Sequence, residues 1–265
     1  MKHIFIPGGF GSHGKDLINR GIFSGSDKLP IIVRSNQKII FPGNYAIITP
    51  IKLTCTLIEN ILTLDSNSVQ IVNFAGIMGT SPNVDGRVTN IHCLFGPGVT
   101  ENLNAIVTKN KNDFSLLVER NLENAGVNLI ELSPAEHDKN MAIIQGLAHF
   151  CEILLGMYFK DNKDVINLLA QWKTSENVIE DMITLNPYFT IILEKILLGI
   201  KSGKDLAEIF LSLSLDNIDN DILSKIKTPN FQRVLYFFLT HKGFYIDDSN
   251  FIIDNLKSMI SIARN

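Results

Sequence analysis

Short apolar runs alternate with longer amphipathic stretches through the first half of the chain. One stretch, from Asp113 to Ala125, has apolar residues at helical spacing, and Gly126 follows where a helix would end in a left-handed conformation. This alternation is typical of a doubly wound parallel sheet covered by helices. Strands are predicted near Ile4–Ile6, Ile31–Val33, Ala46–Thr49, Val69–Asn73, Thr89–His92, Ala105–Thr108 and Val127–Leu132.

The pattern changes at Ser133. An N-cap serine, Pro134 at the first helical position and Glu136 three residues after the cap together predict the start of a long helix. Helical patterns then continue to the C-terminus. We therefore predict an α/β domain over residues 1–132 and an all-α domain over residues 133–265.

Composition narrows the functional class. A hydrophobic fraction of 45% and a charged fraction of 19% favour a folded globular chain. The net charge is −3, and the basic residues are scattered, so neither nucleic acid nor a membrane surface is an expected partner. The three cysteines have no metal-ligand spacing, and the apolar N-terminal run is soon broken by glycine. We expect a cytoplasmic protein that acts on small molecules, with no metal, signal peptide or anchor.

A glycine-rich turn follows the first predicted strand. In "IFIPGGFGSHG", Gly9, Gly11 and Gly14 have the G-x-G-x-x-G spacing, and a helical stretch comes next. Such glycines permit a tight turn, close approach of a pyrophosphate, and close packing of helix on strand. This context predicts a dinucleotide-binding domain of the Rossmann type. The cofactor-binding residues expected in the turn are Gly9, Phe10, Gly11, Ser12, His13 and Gly14.

The end of the second predicted strand bears on which dinucleotide binds. NAD sites usually have an acidic residue there to accept from the ribose hydroxyls, whereas a 2′-phosphate requires a guanidinium and small donors. Here the strand ends on Arg34, Ser35 and Asn36, with Lys38 close behind. We therefore favour NADP over NAD, with Arg34 and Ser35 as cofactor-binding residues.

A histidine ends the fifth predicted strand. His92 is followed at once by the rigid turn of Gly96, Pro97 and Gly98. An α/β protein places a proton-transfer group at such a strand end, facing a ligand cleft. On this pattern alone, a loop histidine without a chemical task is an equal alternative.

Four segments resemble a known family. The chain contains "GGFGSHG", "ITPIKLT", "IHCLFGPG" and "SPAEHDKNMAIIQGLAHF", and more weakly "LNPYFTIILEKI". In order and spacing they are similar to the prephenate and arogenate dehydrogenases of tyrosine biosynthesis. The resemblance adds Thr49 and Pro50 to the expected cofactor site.

The resemblance implies an oxidative decarboxylation of a cyclohexadienol to an aromatic product. It assigns His92 as the catalytic histidine, His149 as a substrate contact, and Gln145 as a residue near cofactor or substrate. It also implies a homodimer formed through the helical half. Amphipathic stretches at residues 164–172 and 250–263 are compatible with that assembly.

The chain departs from the family pattern where substrate binds. Gly76 and Met78 stand where relatives have serine and lysine, and Thr190 aligns with an arginine that binds a substrate carboxylate. Cys93 and Leu94 replace the proline and methionine after the histidine. Thr190 is still the residue expected at the carboxylate site, although a hydroxyl cannot replace a bidentate guanidinium.

Several explanations of these departures stay open. Another cation, Arg87 or Lys195, could bind the carboxylate, or the weakest segment could be misaligned. The substrate could be prephenate or a close analogue such as arogenate or 4-amino-4-deoxyprephenate. The alternative is a non-catalytic or repurposed dinucleotide-binding protein.

Overall fold

The computed structural model divides the chain into two compact units, Met1–His137 and Asp138–Asn265. It describes residues 3–25, 30–34, 41–63, 69–82, 86–151, 181–204, 206–217 and 257. The division lies four residues inside the helix that begins at Pro134. That residues 1–132 and 133–265 act as separate cofactor-binding and substrate-binding domains stays a prediction.

Within the described residues of the first unit, seven strands form one sheet, at the positions expected from the apolar runs. The order across the sheet is β2-β1-β3-β4-β5-β6-β7. The strands are β1 Ile4–Pro7, β2 Ile31–Val33, β3 Asn44–Ile47, β4 Gln70–Asn73, β5 Val88–Cys93, β6 Asn104–Val107 and β7 Asn128–Glu131.

One pair of strands departs from the expected parallel arrangement. β5 and β6 are antiparallel, whereas every other neighbouring pair is parallel. Only residues 94–103 join β5 to β6, and they contain no helix. A parallel neighbour needs a crossover connection of a dozen residues or more, so this short loop produces a reversal instead.

Helices cover both faces of the sheet, which confirms the predicted doubly wound arrangement. Ile4, Ile6 and Val72 pack on one face with residues of α1 (Ser12–Asn19) and α3 (Asp113–Asn124). On the other face, Phe5, Tyr45 and Ile71 pack with residues of α2 (Ile51–Leu62). Neighbouring strand residues alternate between the two cores because side chains point alternately to opposite faces of a strand.

The predicted helix after β6 is confirmed together with the glycine that ends it, and its N-terminus has a capping box that was not predicted. The side chain of Asn112 accepts from the Ser115 N–H, and the Ser115 hydroxyl oxygen accepts from the Asn112 N–H. At the other end Gly126 adopts a φ of +81°, the left-handed conformation that favours glycine. This helix leads directly into β7.

The described parts of the second unit are largely helical. α4 (Pro134–Met141) continues into a π-helical segment, Ala142–Leu147, in place of the uninterrupted α-helix predicted. α5 (Pro187–Lys201) begins after Asn186, whose side chain accepts from the Tyr188 N–H. α6 is Leu206–Asn217. Among the described residues, no helix is both long and apolar enough to cross a membrane.

Candidate active site

The crossing point of the sheet topology lies between β1 and β3. β1 leads to its neighbour β2 on one side, and the chain then returns to place β3 on the other side. Ligands of open α/β sheets bind outside the carboxyl ends of the strands at such a switch point. Here those ends carry the glycine turn after β1 and Ile48–Pro50 after β3.

The glycine turn is shaped by the backbone of the neighbouring strand. Gly8 has a φ of +82°, and a Cβ there would lie 1.9 Å from the carbonyl oxygen of Ile48. A Cβ on Gly14 would lie 2.7 Å from the Cα of Gly9, so the third glycine of the motif permits close packing as predicted. Gly8, which precedes the motif, is the residue of this turn in the left-handed conformation.

Gly11 differs from the other glycines in the turn. It has an extended backbone, with φ −67° and ψ 163°, and it forms the N-cap of α1. Among the described residues, a Cβ on Gly11 would meet only the Gly8 carbonyl oxygen, at 3.3 Å. The protein therefore leaves room over Gly11, and the N–H groups of the first turn of α1 lack intrahelical acceptors by the geometry of a helix. A pyrophosphate fits this cradle because it accepts hydrogen bonds and carries negative charge.

The residues after β3 form the start of α2. Pro50 is the N-cap of this helix, and Thr49 is buried. The Thr49 and Thr54 hydroxyls lie 3.0 Å apart, and Thr54 also donates to the Thr49 and Pro50 carbonyl oxygens. Thr49 and Pro50 are thereby held beside the glycine turn, at the same edge of the sheet.

Arg34 directly follows β2 and is exposed. It lies at the edge where the adenosine half of a dinucleotide reaches the second strand of such folds. Ser35, Asn36 and Lys38 lie outside the described residues.

His92 lies next to the last residue of β5, at the same edge as the glycine turn. Desolvation lowers the pKa of His92 well below its ordinary value of 6.5, and the charges of His137 and His13 add to this effect. The imidazole is therefore neutral at neutral pH, which a proton acceptor requires.

The thiol of Cys93, the next residue, lies in surroundings that do not favour reactivity. It is buried, and desolvation raises its pKa to about 12. Because only a thiolate is a strong nucleophile, this thiol is not a candidate for covalent chemistry.

The turn after His92 is tied to helix α1 by two residues that the motif analysis missed. Asp16 accepts a hydrogen bond from the Gly98 N–H at 3.2 Å, and Arg20 donates to the Val99 carbonyl oxygen at 2.5 Å. Arg20 and Asp16 also form a salt bridge at 2.7 Å. Burial acts to raise the pKa of Asp16, but hydrogen bonds from Arg20 and Gly98 outweigh it and leave that pKa below its ordinary value.

Aromatic contacts bring the glycine turn and the β5 loop together. Phe95 lies edge-on to the His13 ring, at a centroid distance of 6.2 Å, and the Arg20 guanidinium lies 5.3 Å from the Phe95 ring centroid. Burial lowers the pKa of His13, Asp16 opposes that shift, and Arg20 contributes to it. The only sequence signal for this cluster was the i, i+4 spacing of Asp16 and Arg20.

A buried amide at the end of β4 was also missed. Asn73 donates to Asn90 at 2.8 Å and to Ser81 at 3.1 Å. Its Oδ1 atom is buried and has no hydrogen-bond partner within the described residues. A buried acceptor without a donor carries a cost of roughly 1–3 kcal/mol.

The residues at the family departures have clear structural surroundings. Met78 is buried in the apolar core, so it replaces a cation with a packing side chain. Arg87 precedes β5 and His92 is near its end, which separates them by about 16 Å at ~3.3 Å per residue. That Arg87 or Lys195 binds the substrate carboxylate stays a prediction. Lys195 lies on α5 and is exposed.

The second unit contains the other predicted site residues. Gln145 lies in the π-helical segment, His149 lies just after it and is buried, and Thr190 lies in the first turn of α5. Phe189 packs against Gly146, so Thr190 and Gln145 each lie one residue from the same helix contact. Their roles at a substrate stay predictions.

Comparison with known proteins agrees with the motif resemblance. No protein-family model matches the chain. A curated Haemophilus influenzae protein named T-protein is 25% identical over 254 residues, which cover 90% of this chain. The chain spans 62% of the length of T-protein.

Two solved structures share the architecture. A Corynebacterium glutamicum protein, provisionally described as a prephenate dehydrogenase, matches 98% of this chain and 96% of its own, with a TM-score of 0.53 and 13% identity. The prephenate dehydrogenase of A. aeolicus, in complex with hydroxyphenyl propionate and NAD+, matches 82% of this chain and 97% of its own, with a TM-score of 0.50 and 16% identity. The chain shares the fold of these two proteins. The resemblance predicted from the motifs is thus confirmed for the fold, and this fold places the glycine turn and His92 at one edge of the sheet.

Proposed function

We propose that this protein is an NAD(P)-dependent oxidoreductase of the prephenate dehydrogenase type. Its reaction is the oxidative decarboxylation of prephenate or a close cyclohexadienol, such as arogenate or 4-amino-4-deoxyprephenate. The observation that carries the proposal is the position of His92, a neutral imidazole at the end of β5 whose loop is tied to the glycine-turn helix by Asp16 and Arg20.

The dinucleotide would be held by the glycine turn, by Thr49 and Pro50, and by Arg34. The room over Gly11 suits a bound molecule with an anionic group. We favour NADP because the described end of β2 carries Arg34 and no carboxylate.

A bound nicotinamide supplies the acceptor for the hydride that leaves the ring carbon bearing the hydroxyl. His92 accepts the hydroxyl proton as the carbon–oxygen double bond forms. Loss of the ring carboxylate as carbon dioxide then leaves an aromatic phenolate, and His92 returns the proton to it. Few protein groups are needed because formation of the aromatic ring drives the reaction; the remaining demands are orientation and charge compensation.

Substrate contacts from the second unit belong to the same proposal. Gln145, His149 and Thr190 are the residues we assign to the substrate. We also propose a homodimer in the cytoplasm. The amphipathic stretches that suggested it, residues 164–172 and 250–263, lie outside the described residues apart from Lys257.

A substrate panel tests the function. Purified protein is mixed in turn with prephenate, arogenate and 4-amino-4-deoxyprephenate, each with NAD and with NADP, and the absorbance of reduced nicotinamide is recorded. We expect turnover of at least one substrate, faster with NADP. Dinucleotide binding without turnover of any of the three would contradict the proposal and support a non-catalytic or repurposed protein.

A further inference from the structure

A second histidine, His137, lies against His92. Nδ1 of His92 and Nε2 of His137 are 2.8 Å apart, and the two rings meet edge to face at a centroid distance of 5.1 Å. His137 is fully buried, so packing determines the position of its ring. At this distance one nitrogen donates a hydrogen and the other accepts it, because two bare lone pairs would repel each other.

The start of α4 orients His137. The Ser133 N–H donates to Glu136 at 2.8 Å, and the Glu136 N–H donates to the Ser133 hydroxyl at 3.2 Å, which forms a capping box. The His137 N–H then donates to the Ser133 carbonyl oxygen at 2.9 Å. His137 is therefore held in the first turn of a capped helix, and its ring reaches the β5 strand.

We propose that His137 is a positioning residue for His92: its Nε2 accepts the Nδ1–H of His92 and thereby keeps the Nε2 of His92 unprotonated. A neutral imidazole carries one proton, so the partner of one nitrogen determines the state of the other. The opposite direction of donation would place the proton on the Nε2 of His92 and remove its lone pair. The inference rests on the proposed function, which requires a bare Nε2 on His92, but the direction of the hydrogen bond can be tested in the free protein.

The proton balance of the step is simple. The substrate O–H bond breaks, an N–H bond forms at Nε2 of His92, and the electron pair of the former O–H bond becomes the second carbon–oxygen bond as the hydride leaves. The resulting imidazolium donates its Nδ1–H to Nε2 of His137, a charge-assisted hydrogen bond. The phenolate formed on decarboxylation then recovers the proton from Nε2.

The direction of the hydrogen bond can be measured without substrate. The chain has six histidines, so the ¹⁵N imidazole signals of His92 can be assigned by comparing wild type with His92→Asn. We expect the shifts of a protonated Nδ1 and a bare Nε2 at neutral pH. His137→Gln should keep this pattern because its amide oxygen can accept from His92, whereas His137→Leu should move the proton of His92 to Nε2.

Ser133→Ala is the matched control. It weakens the start of the same helix by about 1 kcal/mol but leaves the imidazole of His137 in place. If His137 had only a structural role, Ser133→Ala and His137→Leu would affect His92 alike. We expect His92 to keep its wild-type tautomer in Ser133→Ala.

Kinetics provide the second readout. His137→Leu should lower kcat about 10- to 100-fold with KM nearly unchanged, and His137→Gln should recover most of that loss.

The outcomes separate this inference from the proposed function. A protonated Nε2 on His92 in the wild type, or an unchanged tautomer in His137→Leu, would overturn the positioning role even in an active enzyme. A bare Nε2 that depends on His137, in a protein that turns over none of the offered cyclohexadienols, would support the hydrogen bond and refute the proposed reaction.

Discussion

At the scale of single residues, the glycines of the β1–α1 turn have different tasks. Gly8 and Gly14 are required by the protein itself, since a Cβ at either position would overlap backbone atoms. The described part of the protein has room for a side chain at Gly11, since a Cβ there would meet one backbone oxygen at 3.3 Å. In our proposal, Gly11 is needed because a side chain would block the bound pyrophosphate. Substitutions at these positions therefore distinguish a structural turn from a binding turn.

We expect Gly11→Ala to weaken dinucleotide binding at least about tenfold while changing the free energy of unfolding by less than about 1 kcal/mol. Gly14→Ala should weaken binding and also destabilise the fold by about 1–3 kcal/mol, because its methyl group lies 2.7 Å from the Gly9 Cα. Calorimetric titration and urea unfolding measure the two effects. Unchanged binding in a folded Gly11→Ala would show that no pyrophosphate occupies this turn.

Arg34 tests the choice of dinucleotide. Arg34→Gln removes a charge-assisted contact with a 2′-phosphate, so we expect an increase in Kd for NADP of about tenfold or more. NAD lacks that phosphate and serves as the internal control, with a Kd that should stay the same. An equal effect on both dinucleotides, or no effect on either, would refute a role for Arg34 in selecting NADP.

At the scale of elements, much of the architecture was predictable from local patterns. The strands of the sheet are short apolar runs, and α3, α4 and α5 begin at side-chain caps or at a proline in the first turn. These signals involve residues close together in sequence, because capping hydrogen bonds and the spacing of apolar side chains act within about one turn of the chain. The edge of the sheet that carries the glycine turn and His92 follows from the same predictions.

Other features depend on contacts between distant residues. Gly8 packs so closely on the Ile48 carbonyl oxygen that no side chain fits there. Asp16 and Arg20 form hydrogen bonds with residues about eighty positions away. The contact between His92 and His137 spans 45 positions. No local pattern encodes such pairings, so the cluster around His92 could be found only in the folded chain.

The π-helical segment was also unpredicted, and its contact with α5 is tight. A Cβ on Gly146 would lie 2.6 Å from the Phe189 ring. We expect Gly146→Ala to destabilise the second unit by about 1–3 kcal/mol through overpacking. Urea unfolding measures this loss, and adding Phe189→Leu should restore part of it by making room for the methyl group. A Gly146→Ala protein as stable as wild type would show that this helix contact is looser than described.

At the scale of the whole molecule, buried histidines make stability depend on pH. Burial lowers the pKa of His92 and His13 from 6.5, so both stay neutral in the folded chain at a pH where the unfolded chain binds protons. Stability is therefore complete above about pH 6.5 and falls as the pH drops toward the folded-state pKa values, by up to ~1.4 kcal/mol per pH unit for each histidine.

Urea unfolding at intervals from about pH 7 to about pH 5 tests this dependence. We expect the midpoint to fall with pH in the wild type and to fall less steeply in His92→Gln, which has no imidazole to protonate. Parallel curves for the two proteins would show that His92 is not desolvated in the folded state.

The central claim is that His92 accepts the substrate's proton beside the bound nicotinamide, and His92→Asn tests it most directly. With whichever cyclohexadienol the wild type turns over, we expect kcat to fall about 10²- to 10⁴-fold in His92→Asn while the Kd for the dinucleotide stays unchanged. A His92→Asn protein that turns over the same substrate at the wild-type rate would contradict the account.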